Sequence, residues 1–249
     1  MLFFSILFTV GLCYSQSVET NIVLINAGNY DKRRIAKEIS IINGFNPKVI
    51  SLDIAFPEYV GDSDDKQLIL ALQSCKKLVM PSEIYSEGVD YYGKEMISVV
   101  LTCSKAFFPW WQAKAGFVTA IGEKGEPHIP RQFIVSQEGY SGDTYYHFSI
   151  VTAQAFDSLK TVNFIQSHDR LVDVDYRNGN RKFKTFSPTE VLSKKITKKD
   201  IEGKIVLMGF LGPGNQDKFF TPLNKDSNEP DMYGVEYLAN IVAQILESK

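Results

Sequence analysis

At 249 residues, with 44% hydrophobic and 22% charged, the chain can bury a large core and is neither disordered nor fibrous in composition. Lys and Arg number 27 against 29 Asp and Glu, a formal charge of −2, so a basic nucleic-acid footprint is excluded and no nucleic-acid partner is expected. No apolar run reaches membrane-spanning length; three cysteines rule out a disulfide-stapled miniprotein, and three scattered histidines argue against a His-rich metal site.

Residues Leu2 to Tyr14 (LFFSILFTVGLCY) are nearly all apolar, and no charge precedes Glu19. Such a run is too short for a bilayer core of roughly 30 Å but suits the apolar region of a secretory signal, although the usual leading Lys or Arg is missing. The tail of a longer membrane helix and a buried strand are the other readings. Residues 1–16 are therefore expected to be a signal peptide or a truncated anchor. Cys13 does not fit a lipoprotein site, because Leu12 stands where processing needs a small residue. Export would carry Cys75 and Cys103 to an oxidising space where they could pair; two small buried apolar residues is the alternative, and spacing does not choose.

Asn21 to Ala27 is a β-branched apolar run ended by Gly28-Asn29, which predicts a buried strand and a turn. Asp31 is a candidate N-cap for a helix carrying Ile35, Ala36, Ile39 and Ile42 on one face, with Gly44 placed to stop it. Lys48 to Ile54 is a second strand, Pro57 to Asp65 its exit loop, and Leu68, Ile69, Leu72 and Cys75 mark a second helix. Lys77 to Pro81 is a third strand. Alternation of this kind with short links predicts a parallel sheet with crossover helices. In the middle, Gly116–Gly122 and Arg131–Val135 suggest a hairpin around a polar loop from Glu123 to Pro130. Asp143 to Leu159 has near-helical spacing, and Leu171 to Tyr176 alternates as a half-exposed strand that turns at Asn178-Gly179 toward Lys182–Phe186. Lys204 to Gly209 is a buried strand opening into a glycine-rich loop, and Tyr233, Tyr237, Ile241 and Ile245 line a closing helix. With no repeat or linker, one domain over residues 20–249 is expected. Its class is α/β: a mostly parallel sheet with helices on both faces and an antiparallel hairpin inserted in the middle.

In open parallel sheets, ligands collect outside the carboxyl ends of the strands. Asn26 ends the first strand, Asp53 ends the second and Asp217 lies in the loop after the last, so these three are the candidate ligand-binding residues. The alternative is that each caps nearby backbone N–H groups. The loop Gly209-Phe210-Leu211-Gly212-Pro213-Gly214 lacks the Gly-Lys-Ser/Thr of a phosphate loop, and no helix directly follows its glycines. A close-packed turn is the first reading and a small-ligand loop the second.

Asp62, Asp64 and Asp65 lack the spacing of a calcium loop and read as a helix start, with Asp64 or Asp65 as N-cap. His128, His147 and His168 are not at metal-ligand spacing, and no nucleophile elbow is present, so neither metal nor cofactor is expected. Phe107-Phe108-Pro109-Trp110-Trp111 reads, in this order, as satellite core, interface patch or membrane-surface contact.

Four passages, taken in order, resemble the second type of CHASE domain, the cyclase- and histidine-kinase-associated sensory extracellular domains. They are NIVLINAGN; NPKVISLDIAFPE followed by Asp64-Asp65; FSPTEVLSKK with IEGKIVLMGFLGPGNQDKFFTPLN; and PDMYGVEYLANIV. The likeness runs from about residue 20 to residue 247, and the DKFFTPLN string is similar to a short bacterial subgroup. Where many relatives have His in the closing helix, this chain has Tyr237, which removes that residue from any shared role. The resemblance implies an extracytoplasmic input domain, attached to the membrane through segments at or beyond its termini and carrying no effector. It supplies no catalytic residues and no defined ligand.

The expected function is therefore a non-catalytic sensor of a small molecule or an envelope protein, with a homodimer allowed. A structural or assembly module of the cell envelope is the first alternative. A hydrolase using Asp53 and Asp217 is the second.

Overall fold

The computed structural model describes residues 21–29, 31–89, 95–119, 121–122, 129–140, 142–176, 182–224 and 227–248. The expectations for residues 1–16, Cys13, His128 and the Asn178-Gly179 turn lie outside these. The chain begins as read. Strand β1 (Ile22–Asn26) leads into helix α1 (Lys32–Gly44), capped by Asp31 accepting the Arg34 N–H at 2.9 Å. Gly44 does not stop the helix: it is its last residue, and Asn46 makes the left-handed turn beyond it at φ 59°. Asn tolerates that conformation because its short polar side chain can bond locally.

Strand β2 (Val49–Leu52) and helix α2 (Ser63–Ser74) follow. Asp62, not Asp64 or Asp65, is the N-cap, its Oδ1 accepting the N–H groups of both at 2.9 Å. Asp65 instead turns inward, accepting Lys32 Nζ and the Val60 and Gly61 N–H groups, each at 2.7 Å. These acids are occupied by the fold, and no metal-binding group is found among the described residues.

Strand β3 (Leu78–Val89) runs well past Pro81 and folds back into β4 (Glu95–Leu101), antiparallel to it. Strand β5 (Ala113–Phe117) lies parallel to the first half of β3, so Gly116 and Phe117 belong to the main sheet and not to the predicted hairpin. Gly116 is required there: a Cβ would stand 2.5 Å from the Phe148 Cα. The hairpin itself is shorter, β6 (Ile121–Gly122) against β7 (Pro130–Ile134). Next come β8 (Ser136–Glu138) and β9 (Thr144–Tyr146), paired with each other.

The single helix predicted over Asp143–Leu159 is two, α3 (Phe148–Phe156) and α4 (Ser158–Ser167). Side-chain caps explain the break. His147 Nδ1 accepts the Ser149 N–H, and Asp157, in extended backbone, accepts the Lys160 N–H.

Strand β10 (Leu171–Asp173) pairs with β7, whereas β11 (Lys184–Phe186) joins the main sheet parallel to β1. The two are not hairpin partners. After helices α5 (Pro188–Leu192) and α6 (Lys198–Ile201), β12 (Ile205–Gly209) inserts between β1 and β2. The small ribbon β13 (Lys218–Phe219) and β14 (Met232–Tyr233) precedes helix α7 (Gly234–Glu247).

The main sheet has the order β11-β1-β12-β2-β3, with β5 and β4 both on β3, and every pair but β3–β4 is parallel. Alternation in the strands serves two cores. Val23, Ile25, Ile50, Leu52, Val206 and Met208 face α1 and α2. Ile22, Leu24, Val49, Val79, Ile205 and Leu207 face α3, α4 and α7. Ser51 interrupts the second face, and its hydroxyl is satisfied by Thr152 Oγ1 at 2.9 Å. Cys75 and Cys103 are free and buried in the first core; burial pushes their thiols up to about 12 and about 11.

Candidate functional site at the carboxyl edge of the sheet

Because the strands run in parallel, their exits meet on one edge, and a cavity of about 560 Å³ opens there. Gly28 and Asn29 after β1, Asp53 and Ala55 after β2, Ser82 and Glu83 of β3, Val118 after β5, and Phe210 and Asp217 after β12 all line it. The far half of β3 and its partner β4 rise beyond the sheet as one wall. Thr102 fixes that wall, donating N–H and Oγ1 to the Pro81 carbonyl at 3.3 and 3.0 Å while its own carbonyl accepts the Phe56 N–H.

The sequence-predicted residues divide. Asp53 and Asp217 both reach the cavity. Asn26 does not line it: its Oδ1 accepts the N–H groups of Gly28 (2.8 Å) and Leu211 (3.0 Å), and its Nδ2 donates to the Leu211 carbonyl (3.2 Å). It ties together the exit loops of β1 and β12, whose neighbouring residues Gly28 and Phe210 form the walls.

Backbone geometry sets the two acids. Asp53 donates its N–H to the Met208 carbonyl at 2.7 Å, which anchors the exit of β2 to central β12. Gly209 beside it has no room for a side chain; a Cβ would lie 2.7 Å from Val235 Cβ and 3.3 Å from Asp53 Cβ. Asp217 adopts φ 59°, and its carbonyl accepts the Gly234 N–H at 2.9 Å, so it sits against the first residue of α7. Gly234 is also confined, since a Cβ there would approach the Asp217 carboxylate to 3.0 Å.

Neither carboxylate has a hydrogen-bond or ion-pair partner among the described residues. Burial raises the Asp53 carboxyl to about 7, and the negative charge of Asp217 adds to the effect; burial also raises Asp217. Glu83 is a third acid on the wall, accepting the Tyr85 hydroxyl. Among the described residues no Lys, Arg or His lines the cavity; the Arg34 guanidinium lies behind Gly28 and donates to the Asn29 carbonyl. Ser82, 1% exposed, carries a buried Oγ with no partner. Phe210, packed edge-on against Tyr233, supplies the aromatic surface. Chemically, the lining sets three carboxylates among neutral polar groups, Asn29, Ser82, Thr102 and Gln216, with no cationic side chain among the described residues.

Sequence reasoning missed Ser82, Glu83 and Thr102, whereas Phe210 belongs to the glycine-rich loop whose second reading is a small-ligand loop. Ser82 and Glu83 follow the third predicted strand, and the same exit rule that selected Asp53 applied to them. Thr102 follows β4 (EMISVVL), a largely apolar run for which no strand is predicted above.

The described residues thus form an α/β domain, a doubly covered, mostly parallel sheet with an open, acidic exit edge. The CHASE2 domain model matches residues 16–249, and the chain belongs to that family of sensory extracellular domains. No curated protein and no solved structure matches it significantly.

Proposed function

We propose that this chain is a non-catalytic input domain whose carboxyl-edge cavity binds a small organic cation. The observation that carries this is the pair of carboxylates, Asp53 and Asp217, unpartnered among the described residues, in a cavity that no described basic residue lines. An ammonium group supplies the positive charge that the lining lacks and N–H donors for both carboxylates. Phe210 suits the cation's alkyl part or its charge, and the Ser82 hydroxyl is a further partner.

The terminal elements give such binding a route outward. Helix α7 starts against Asp217 at the cavity, and its 14 residues (about 21 Å of helix) end at the opposite edge of the sheet. Strand β1 covers the same span in reverse, from Ile22 to the Asn26 tie. A cation that draws Asp53 and Asp217 together bears on the first turn of α7, so a state with a shifted helix would differ in ligand affinity, as a sensor requires.

A specific observation also favours a second reading. A carboxyl near 7 beside a second acid is the arrangement that acid–base hydrolases use, so Asp53 could act on a bound ester or glycoside. One experiment separates the readings. The chain is screened at pH 8 against ethanolamine, putrescine, spermidine, choline and matched anions, reading melting temperature. At least one cation should raise it by several degrees, and the effect should vanish in Asp53→Asn/Asp217→Asn. Hits confined to anions, or unchanged in the double variant, refute the site. Turnover of a chromogenic ester or glycoside that Asp53→Asn abolishes supports the hydrolase.

A further inference from the structure

The edge opposite the cavity carries features that ligand binding does not use. The parallel strands begin there, so Lys48 before β2, Lys77 before β3 and Trp110-Trp111 before β5 come to one side. Contacts join them into a continuous surface. Gln112, next to the indoles, donates to the Leu72 and Gln73 carbonyls at the end of α2. Lys76, just beyond, reaches Asn46 Oδ1 at 2.6 Å. Lys48 lies over the Phe156 ring, and Lys77 donates to the Ala155 carbonyl at 2.7 Å. Past the Asp157 cap, Lys160 donates to the Leu246 carbonyl at the end of α7. This is also where the described chain starts, at β1, and stops.

Trp110 and Trp111 are 60% and 71% exposed, although Phe107 and Phe108 beside them are buried. The cluster is therefore part core and part surface. Leu159, 73% exposed, stands on the same edge next to Lys160. The acids nearby are engaged: Asp157 caps α4, Glu202 pairs with Lys198 at 3.0 Å, and Glu247 has a partner.

We infer that this amino edge seats on an anionic lipid surface, with the two indoles at the headgroup level and the lysines against the phosphates. Charge complementarity selects that occupant: lysines form a belt around exposed apolar side chains. Indoles have an apolar body and a polar N–H, which suits the membrane–water boundary. The start of β1 and the end of α7 lie on this side as well. The cavity is then held at the far edge, open to solvent.

The two tryptophans are the only ones in the chain, so its indole emission reports on this edge alone. The full chain is titrated with vesicles of phosphatidylglycerol and phosphatidylcholine, with and without bromine-labelled acyl chains. With anionic vesicles, emission should shift to the blue and bromine should quench it. Lys48→Glu/Lys77→Glu should weaken binding by at least about tenfold, given the attraction of each lysine to anionic lipid. In Trp110→Ser/Trp111→Ser, flotation with anionic vesicles should fall, while circular dichroism confirms the fold. Several results would overturn the inference: no shift, an equal shift with pure phosphatidylcholine, or flotation unaltered in both variants with the indoles unquenched. The last is what attachment through residues 1–16 alone would give. Cross-links to an envelope protein that the Trp variant abolishes, with no lipid quenching, would assign the edge to a protein partner instead.

Discussion

The two edges of the main sheet are built from the same strands and are opposite in chemistry. At the carboxyl edge, Asp53, Glu83 and Asp217 surround a cavity that no basic side chain lines among the described residues. At the amino edge, Lys48, Lys76 and Lys77 are exposed, with Trp110 and Trp111. Parallel pairing produces this polarity, because it puts every strand entrance on one side and every exit on the other. A sequence can then give each edge its own composition without disturbing the apolar strand interiors. The edges also differ in constraint. Glycines at the carboxyl edge are pressed against α7 and against the acids, and Asn26 makes three hydrogen bonds to two loops, whereas the indoles opposite are exposed.

That contrast in constraint can be broken by mutation. The largest effect is expected at Gly209→Ala, whose Cβ would enter the Val235 contact at 2.7 Å. Overpacking there should cost about 2–3 kcal/mol and lower the melting temperature by roughly 5–10 °C in a calorimeter. Asn26→Ala leaves the Gly28 and Leu211 backbone groups without their partner and should cost about 2 kcal/mol in urea unfolding.

Asp53→Asn should act in the opposite direction. The folded carboxyl titrates near 7, above its ordinary 3.8, so between those values the native chain holds a proton that the unfolded chain has released. Stability is then lost as pH rises through about 4 to 7. The neutral amide escapes that loss. The variant should be more stable than its parent by about 1–2 kcal/mol at pH 8 and equal to it at pH 4, read as melting temperature against pH. The smallest effect belongs to Trp110→Ser/Trp111→Ser, within about 0.5 kcal/mol of the parent by the same melting assay.

What could be read in advance follows from burial. Strands β1, β2 and β12 are covered on both faces, so they appear as apolar runs, and the exit rule then placed Asp53 and Asp217 on one edge. The far half of β3 carries Ser82, Glu83, Ser86 and Glu87, which hide its continuation as a strand, so the pairing with apolar β4 and the wall that Thr102 fixes had no local signal. Asn26 ends its strand as expected, but its bonds are to a loop 185 positions away, a relation no local pattern encodes. The α3–α4 break turned on Asp157, whose capping role competed with uninterrupted helical spacing. Lys48 and Lys77 were legible as residues, yet only the parallel order brings them to the same edge as Trp110.

The most direct test of the acidic cavity is the titration of Asp53 itself, followed by the carboxyl carbon resonance in the full chain with Asp53→Asn for assignment. A midpoint near 7, falling toward ordinary carboxylate values when a bound cation from the screen saturates the site, is expected. A midpoint near 4 in the free chain, unmoved by any cation, would contradict it.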